Sequence, residues 1–171
     1  MKKAIIIGLF VATMTSCTNP KQAANESSES IEFIYEPTYQ SSFEMGSDEK
    51  VLLIQEMHQH IIDQDYDKAV SYLTDDVVFS LDNGTSLEGK ESVLQFMKEA
   101  YSSVSINDYS VAVNFTVIAE NGDEWVLLWD NGTIESADGA KASYSWMEAF
   151  AFTGDKVSYL NQYAKPILPT E

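Results

Sequence analysis

Arginine does not occur in this 171-residue sequence: all 10 basic residues are lysines, set against 27 acidic residues for a net charge of −17. Without the flat guanidinium fork that grips phosphates at two points, and with this much negative charge, the chain is a poor match for nucleic acid, nucleotides and other polyanions. Cysteine occurs once, as Cys17. No disulfide can therefore close within the chain, and no Cys-x-x-Cys metal clip can form. The only histidines are His58 and His60, in Glu-Met-His-Gln-His at residues 56–60. There is no His-Glu-x-x-His, no glycine-rich phosphate loop and no Gly-x-Ser-x-Gly elbow, so neither a metal site, a cofactor nor covalent nucleophilic chemistry is expected.

Long apolar runs are scarce as well. The first segment carries Lys2 and Lys3, an apolar stretch from Ala4 to Ala12, and small polar residues leading to Cys17. That is the layout of a secretory signal, and it is too short to span a bilayer stably. Met14-Thr15-Ser16-Cys17 resembles the lipobox of bacterial lipoproteins. The resemblance implies cleavage of residues 1–16, acylation of Cys17 and anchoring in a membrane of the cell envelope by lipid, facing the periplasm or the exterior. Residues 17–47 then form a polar, serine-rich tether followed by an extended, irregular strap rich in aromatics. Residues 48–167 make up the folded domain.

Within that domain the hydrophobic period changes twice. Val51, Ile54, Met57, His58, Ile61 and Ile62 recur at helical spacing from Asp48 onward, with Ser47 placed to cap. On a helix, residues i and i+2 point about 200° apart, so His58 and His60 cannot grip one metal. A second short helix begins at the cap Asp65. A strand covers Asp-Val-Val-Phe-Ser-Leu at 76–81, and a turn follows in which Gly84 supplies a positive φ. A third helix carries Val93, Phe96, Met97, Ala100 and Val104 on one stripe. From there the period is two. Tyr109, Val111, Val113, Phe115 and Val117 alternate with polar or small residues, and three further strands follow, joined by Asn-Gly, Asp-Gly and Gly-Asp turns. Asp-Asn-Gly-Thr occurs at Asp82 and again at Asp130, and both copies read as turn chemistry. Such an order folds as α+β, with helices on one face of a bent sheet.

The stretches DQDYDKAVSYLTDDVVF, GTSLEGKESVLQFM and MEAFAFTGDKVSYLNQY, in this succession, resemble the SnoaL-like branch of the nuclear transport factor 2-like superfamily. The resemblance implies a cone: a strongly curved, mostly antiparallel sheet with three helices on its concave side around a pocket, and dimerisation through the convex face. In polyketide cyclases of this type an acid in the penultimate strand acts as base, inside an apolar, acid, apolar, aromatic pattern. Met147, Glu148, Ala149 and Phe150 stand in that pattern, so the role would fall on Glu148. Ala151 replaces the arginine common just beyond it, and Asn161-Gln162 replaces a later Trp-Asp.

Glu148 also stands out by its surroundings. Alternation puts it on one face with Tyr144, Trp146, Phe150 and Phe152, where desolvation would push a carboxyl into the range of a useful acid or base. His58 lies beside the apolar stripe of the first helix, whereas His60 falls toward its polar side. Phe79, Trp129, Tyr144, Trp146 and Tyr163 are candidates to line a ligand pocket, or else they are core. The leading expectation is a lipid-anchored domain that binds a small apolar or neutral molecule, or a protein partner, without catalysis. The alternative is a cyclase, isomerase or dehydratase with Glu148 as general base and His58 or Tyr144 as hydrogen-bond donor.

Overall fold

The change of period from helical to alternating separates the chain into a covering layer and a sheet. The computed structural model describes residues 34–39 and 42–168. The leader, Cys17 and the tether lie outside the described residues. In chain order the elements are β1 (Phe43–Met45), α1 (Glu49–Ile62), α2 (Tyr66–Ala69) with a 3-10 turn (Val70–Tyr72), β2 (Leu73–Leu81), β3 (Ser86–Glu88), α3 (Lys90–Tyr101), β4 (Val104–Ala119), β5 (Glu124–Ser136), β6 (Lys141–Thr153) and β7 (Lys156–Ile167).

The seven strands form one curved sheet in the order β1-β4-β5-β6-β7-β2-β3, and every pairing is antiparallel except that of β2 with β7. This is the α+β arrangement that the order of elements implied, with three helices against the concave side. Val51, Ile54 and Met57 of α1 and Val93 and Met97 of α3 pack with Val126, Leu128, Phe150 and Leu160 of the sheet into one core. Fully burying a side chain such as Ile54 or Met57 contributes about 1.5–3 kcal/mol, so the apolar stripes are what hold the helices down.

Local details depart from the sequence reading in instructive ways. Asp65 caps α2 as expected, accepting from the Lys68 amide at 3.3 Å. At α1, however, Asp48 rather than Ser47 is the N-cap, and its side chain makes no capping bond. What secures that end is Lys50, only 9% exposed, which reaches Asp155 at 2.7 Å and the Gly154 carbonyl in the β6–β7 turn and lies over the Phe152 ring. The strap contains β1, which pairs with β4.

The largest departure is in β4. Its register against β5 slips by one residue between Asn107 and Ser110 and again between Val111 and Val113, so two bulges interrupt the alternation. Asp108, at φ 52°, marks the first. A bulge flips the faces beyond it. Val111 therefore packs on the core whereas Val113 is exposed, although the sequence period put both on one face.

Candidate active site

Four neighbouring strands and one helix deliver polar side chains to a single spot. Along β5, Val126, Leu128 and Asp130 are buried on the inward face. On β6, Glu148 stands opposite Leu128, and Trp146 opposite Asp130. The two carboxylates are thus diagonal neighbours on the same face of adjacent strands. Gln162 of β7 is the register partner of Glu148. Tyr109 follows the first β4 bulge, which turns it inward, and His58 reaches down from α1.

The contacts form a chain. Gln162 Nε2 donates to Glu148 Oε1 at 2.6 Å, and His58 Nε2 lies 3.2 Å from Glu148 Oε2. His58 Nδ1 is 3.2 Å from the Tyr109 hydroxyl, which donates to Asp130 Oδ2 at 2.7 Å. A phenol has one proton, and a carboxylate can only accept it. With Asp130 ionised, the Tyr109 hydroxyl donates to it, and His58 Nδ1–H then donates to the Tyr109 oxygen. Asp130 and Glu148 are only 2% and 3% exposed, which for two carboxylates side by side calls for compensation.

The titration directions follow from this crowding. Burial, and then the charge of Glu148, push the Asp130 carboxyl up to about 6, against the opposing pull of the Tyr109 hydrogen bond and of His58. Burial disfavours a charged His58, but the Glu148 carboxylate outweighs it and the imidazole rises above its ordinary value. Burial, reinforced by Asp130, raises the Tyr109 phenol, and burial with the charge of Glu148 pushes Tyr101 up to about 12. Both tyrosines are therefore neutral donors at physiological pH.

These groups form the polar end of a cavity of about 70 Å³ whose walls include Phe79, Phe96, Tyr101, Trp146 and Phe150. Of the residues singled out in the sequence, Glu148, His58, Phe79 and Trp146 border the cavity. Tyr144 stacks on Trp146 (centroids 5.8 Å apart) and is not part of the wall. Trp129 lies on the opposite face of the sheet, stacked on Phe115, and Tyr163 is exposed on that same outer face. One-residue alternation separates Trp129 from the inward Leu128 and Asp130. His60 turns away from the cavity, its ring 6.0 Å from that of Tyr72.

Asp130, Tyr109, Tyr101 and Gln162 were not singled out by sequence reading. Asp130 was hidden by its motif. Its Asp-Asn-Gly-Thr lies inside β5, and Gly132 is there because a Cβ would sit 3.2 Å from the Trp146 ring, not because a turn needs it. The signal was the alternation of Val126, Leu128 and Asp130. Gln162, noted only as a replacement, is the residue that ties down Glu148.

His58, Asp130 and Glu148 can each present one ligand atom, all within 4.8 Å of one another. Chemically the arrangement offers a carboxylate base with one oxygen anchored, a second carboxyl able to hold a proton near neutrality, an imidazole between them, and phenolic donors. That is the equipment of proton transfer.

Comparison with known proteins agrees with the architecture. The SnoaL-like domain model matches residues 54–160. An LEH-like epoxide hydrolase from M. tuberculosis superposes with a TM-score of 0.58 at 12% identity, covering 70% of this chain and 84% of that one. A nuclear transport factor 2-like protein from Burkholderia xenovorans gives 0.54 at 15% identity, covering 71% and 93%. A protein from Shewanella putrefaciens, described as a candidate SnoaL-like polyketide cyclase, gives 0.54 at 9% identity, covering 67% and 79%. At these identities the likeness is one of fold. No curated protein matches the sequence.

Proposed function

Because the chain belongs to the SnoaL-like domain family, we propose that it is an acid–base enzyme acting on a small, neutral, largely apolar carbonyl compound. The observation that carries the proposal is the convergence of two buried carboxylates and one histidine on an apolar cavity. Gln162 holds Glu148 Oε1, and Glu148, which borders the cavity, serves as the base through Oε2. It removes a proton from the carbon next to the carbonyl, and the electron pair moves onto the carbonyl oxygen. That oxygen is met by a donor, the protonated Asp130 or the Tyr101 hydroxyl. The proton then returns to a second carbon, giving an isomer, or assists loss of water. His58 holds the Glu148 carboxylate in place from α1.

Two further elements of the proposal rest on other observations. The sequence around Cys17 supports a lipid anchor and a place in the cell envelope. An apolar row on the outer sheet face supports a homodimer: Val113, Trp129, Met147 and Tyr163 are consecutive register partners across β4 to β7, and Val113, Met147 and Tyr163 are 46%, 44% and 52% exposed.

Deuterium exchange at the carbons next to the carbonyl of a panel of small ketones, followed by NMR in D2O, tests the chemistry. The wild-type chain should accelerate exchange, and Glu148→Gln should reduce it by about 10²-fold or more while ketone binding, read by line broadening, persists. Acceleration unchanged by the substitution would remove Glu148 as the base, and no acceleration by the wild-type chain would leave a binding site without catalysis.

A further inference from the structure

The polar end of the cavity holds two carboxylate oxygens short of donors. Asp130 Oδ1 and Glu148 Oε2 are buried side-chain oxygens to which no group among the described residues donates a well-aligned hydrogen bond. Both belong to residues that border the cavity. An anionic oxygen removed from water and given no donor is costly, and here two such oxygens lie beside a histidine. Glu148 Oε2 has only the His58 imidazole beside it, with Nε2 3.2 Å away, and Asp130 Oδ1 has no donor at all among the described residues.

The ring tautomer narrows the explanation. Since Nδ1 carries the proton donated to Tyr109, Nε2 turns either a second proton or a lone pair toward the carboxylates. A nitrogen and an oxygen 3.2 Å apart are also spaced as two neighbouring ligands of one ion. Bonds of about 2.0–2.2 Å at tetrahedral or octahedral angles set adjacent donor atoms about 3.0–3.5 Å apart. The third ligand is at hand, since atoms of His58, Asp130 and Glu148 all lie within 4.8 Å of one another.

The surroundings match as well. Metal-bound side chains are normally steadied by outer hydrogen bonds. Tyr109 links His58 Nδ1 to Asp130 Oδ2, and Gln162 holds Glu148 Oε1. Two carboxylates and a neutral imidazole balance a divalent charge, and one nitrogen with two oxygens suits borderline first-row ions. The spacing argument against His58 and His60 still holds. The ligand set comes instead from α1, β5 and β6, which no local motif can announce.

We propose that His58, Asp130 and Glu148 form a site for a first-row divalent cation of the zinc class, with an open position turned into the cavity. The metal-loaded form is distinct from the metal-free form that carries proton transfer, because a bound ion occupies Glu148 and blocks it as a base.

Cobalt(II) is the probe. Titration of the metal-free full chain with cobalt chloride should give visible ligand-field bands that saturate at one equivalent and are abolished by zinc chloride. His58→Gln and Asp130→Asn should each weaken binding by about 100-fold or more. An exposed control, Asp76→Asn, should not, which separates the site from adsorption on an acidic surface. Zinc should also raise the melting temperature of the wild-type chain but not that of Asp130→Asn, a variant that removes a buried charge and so retains the fold. Absence of bands, or binding equal in wild type and both site variants, overturns the proposal. Ketone exchange by the metal-free chain together with absent bands leaves the base and removes the metal. Saturable bands with no exchange in any form do the reverse.

Discussion

Asp130 is the residue at which function and stability oppose each other. Its folded-state pKa, about 6, lies above its ordinary value of 3.8. The folded state therefore binds more protons across that interval, and stability falls as pH rises from about 4 through 6. His58 adds to the trend: its raised pKa means that its contribution is complete below 6.5 and is lost as pH climbs through the folded value. Asp130→Asn keeps an acceptor for the Tyr109 hydroxyl and removes the charge. In metal-free buffer its melting temperature should exceed that of the wild type at pH 8 and match it near pH 4, as thermal scans at the two pH values will show. Glu148 was legible in the sequence because an acid amid alternating aromatics is conspicuous. Asp130 was not, because Asp-Asn-Gly-Thr has the same letters in a turn and in a strand, and only the inward rhythm of Val126 and Leu128 tells them apart.

At the scale of elements, α1 is the part that places His58, and Lys50 fixes its first turn. Burial disfavours the ammonium, but the hydrogen bond and charge of Asp155, helped by Glu124, outweigh it and hold the lysine above its ordinary pKa. Asp155 is largely solvent-exposed, which discounts the pair. Lys50→Ala should therefore cost about 1–2 kcal/mol, measured by urea unfolding, and should loosen His58 without touching the cavity. The helices and the four long strands were readable because their periods are long and clean. β1 and β3, of three residues each, carry too little pattern to be read. The bulges of β4 were invisible for a different reason. A period identifies which residues share a face only while the count is unbroken, and the two slips that aim Tyr109 inward and Val113 outward arise from pairing with β5.

For the whole molecule, the outer face of the sheet and the overall charge pull in opposite directions. The row from Val113 to Tyr163 favours pairing with a second copy, whereas −17 per chain repels one. Sedimentation equilibrium should show the proposed dimer tightening as salt screens the repulsion. Met147→Lys, placed in the middle of the row, should yield a monomer at the same concentration with its cavity chemistry intact. The sheet order, finally, joins the two ends of the domain. β2 pairs in parallel with β7, Leu73 against Val157, so a strand near the start of the domain is completed by its last one. Closing so long a loop has an entropic cost that local helix formation does not help to meet. Gln162 is on that same final strand. Gln162 faces Glu148 across the β6–β7 hairpin, so the strand that joins the end of the domain to its beginning also carries the residue that anchors Glu148.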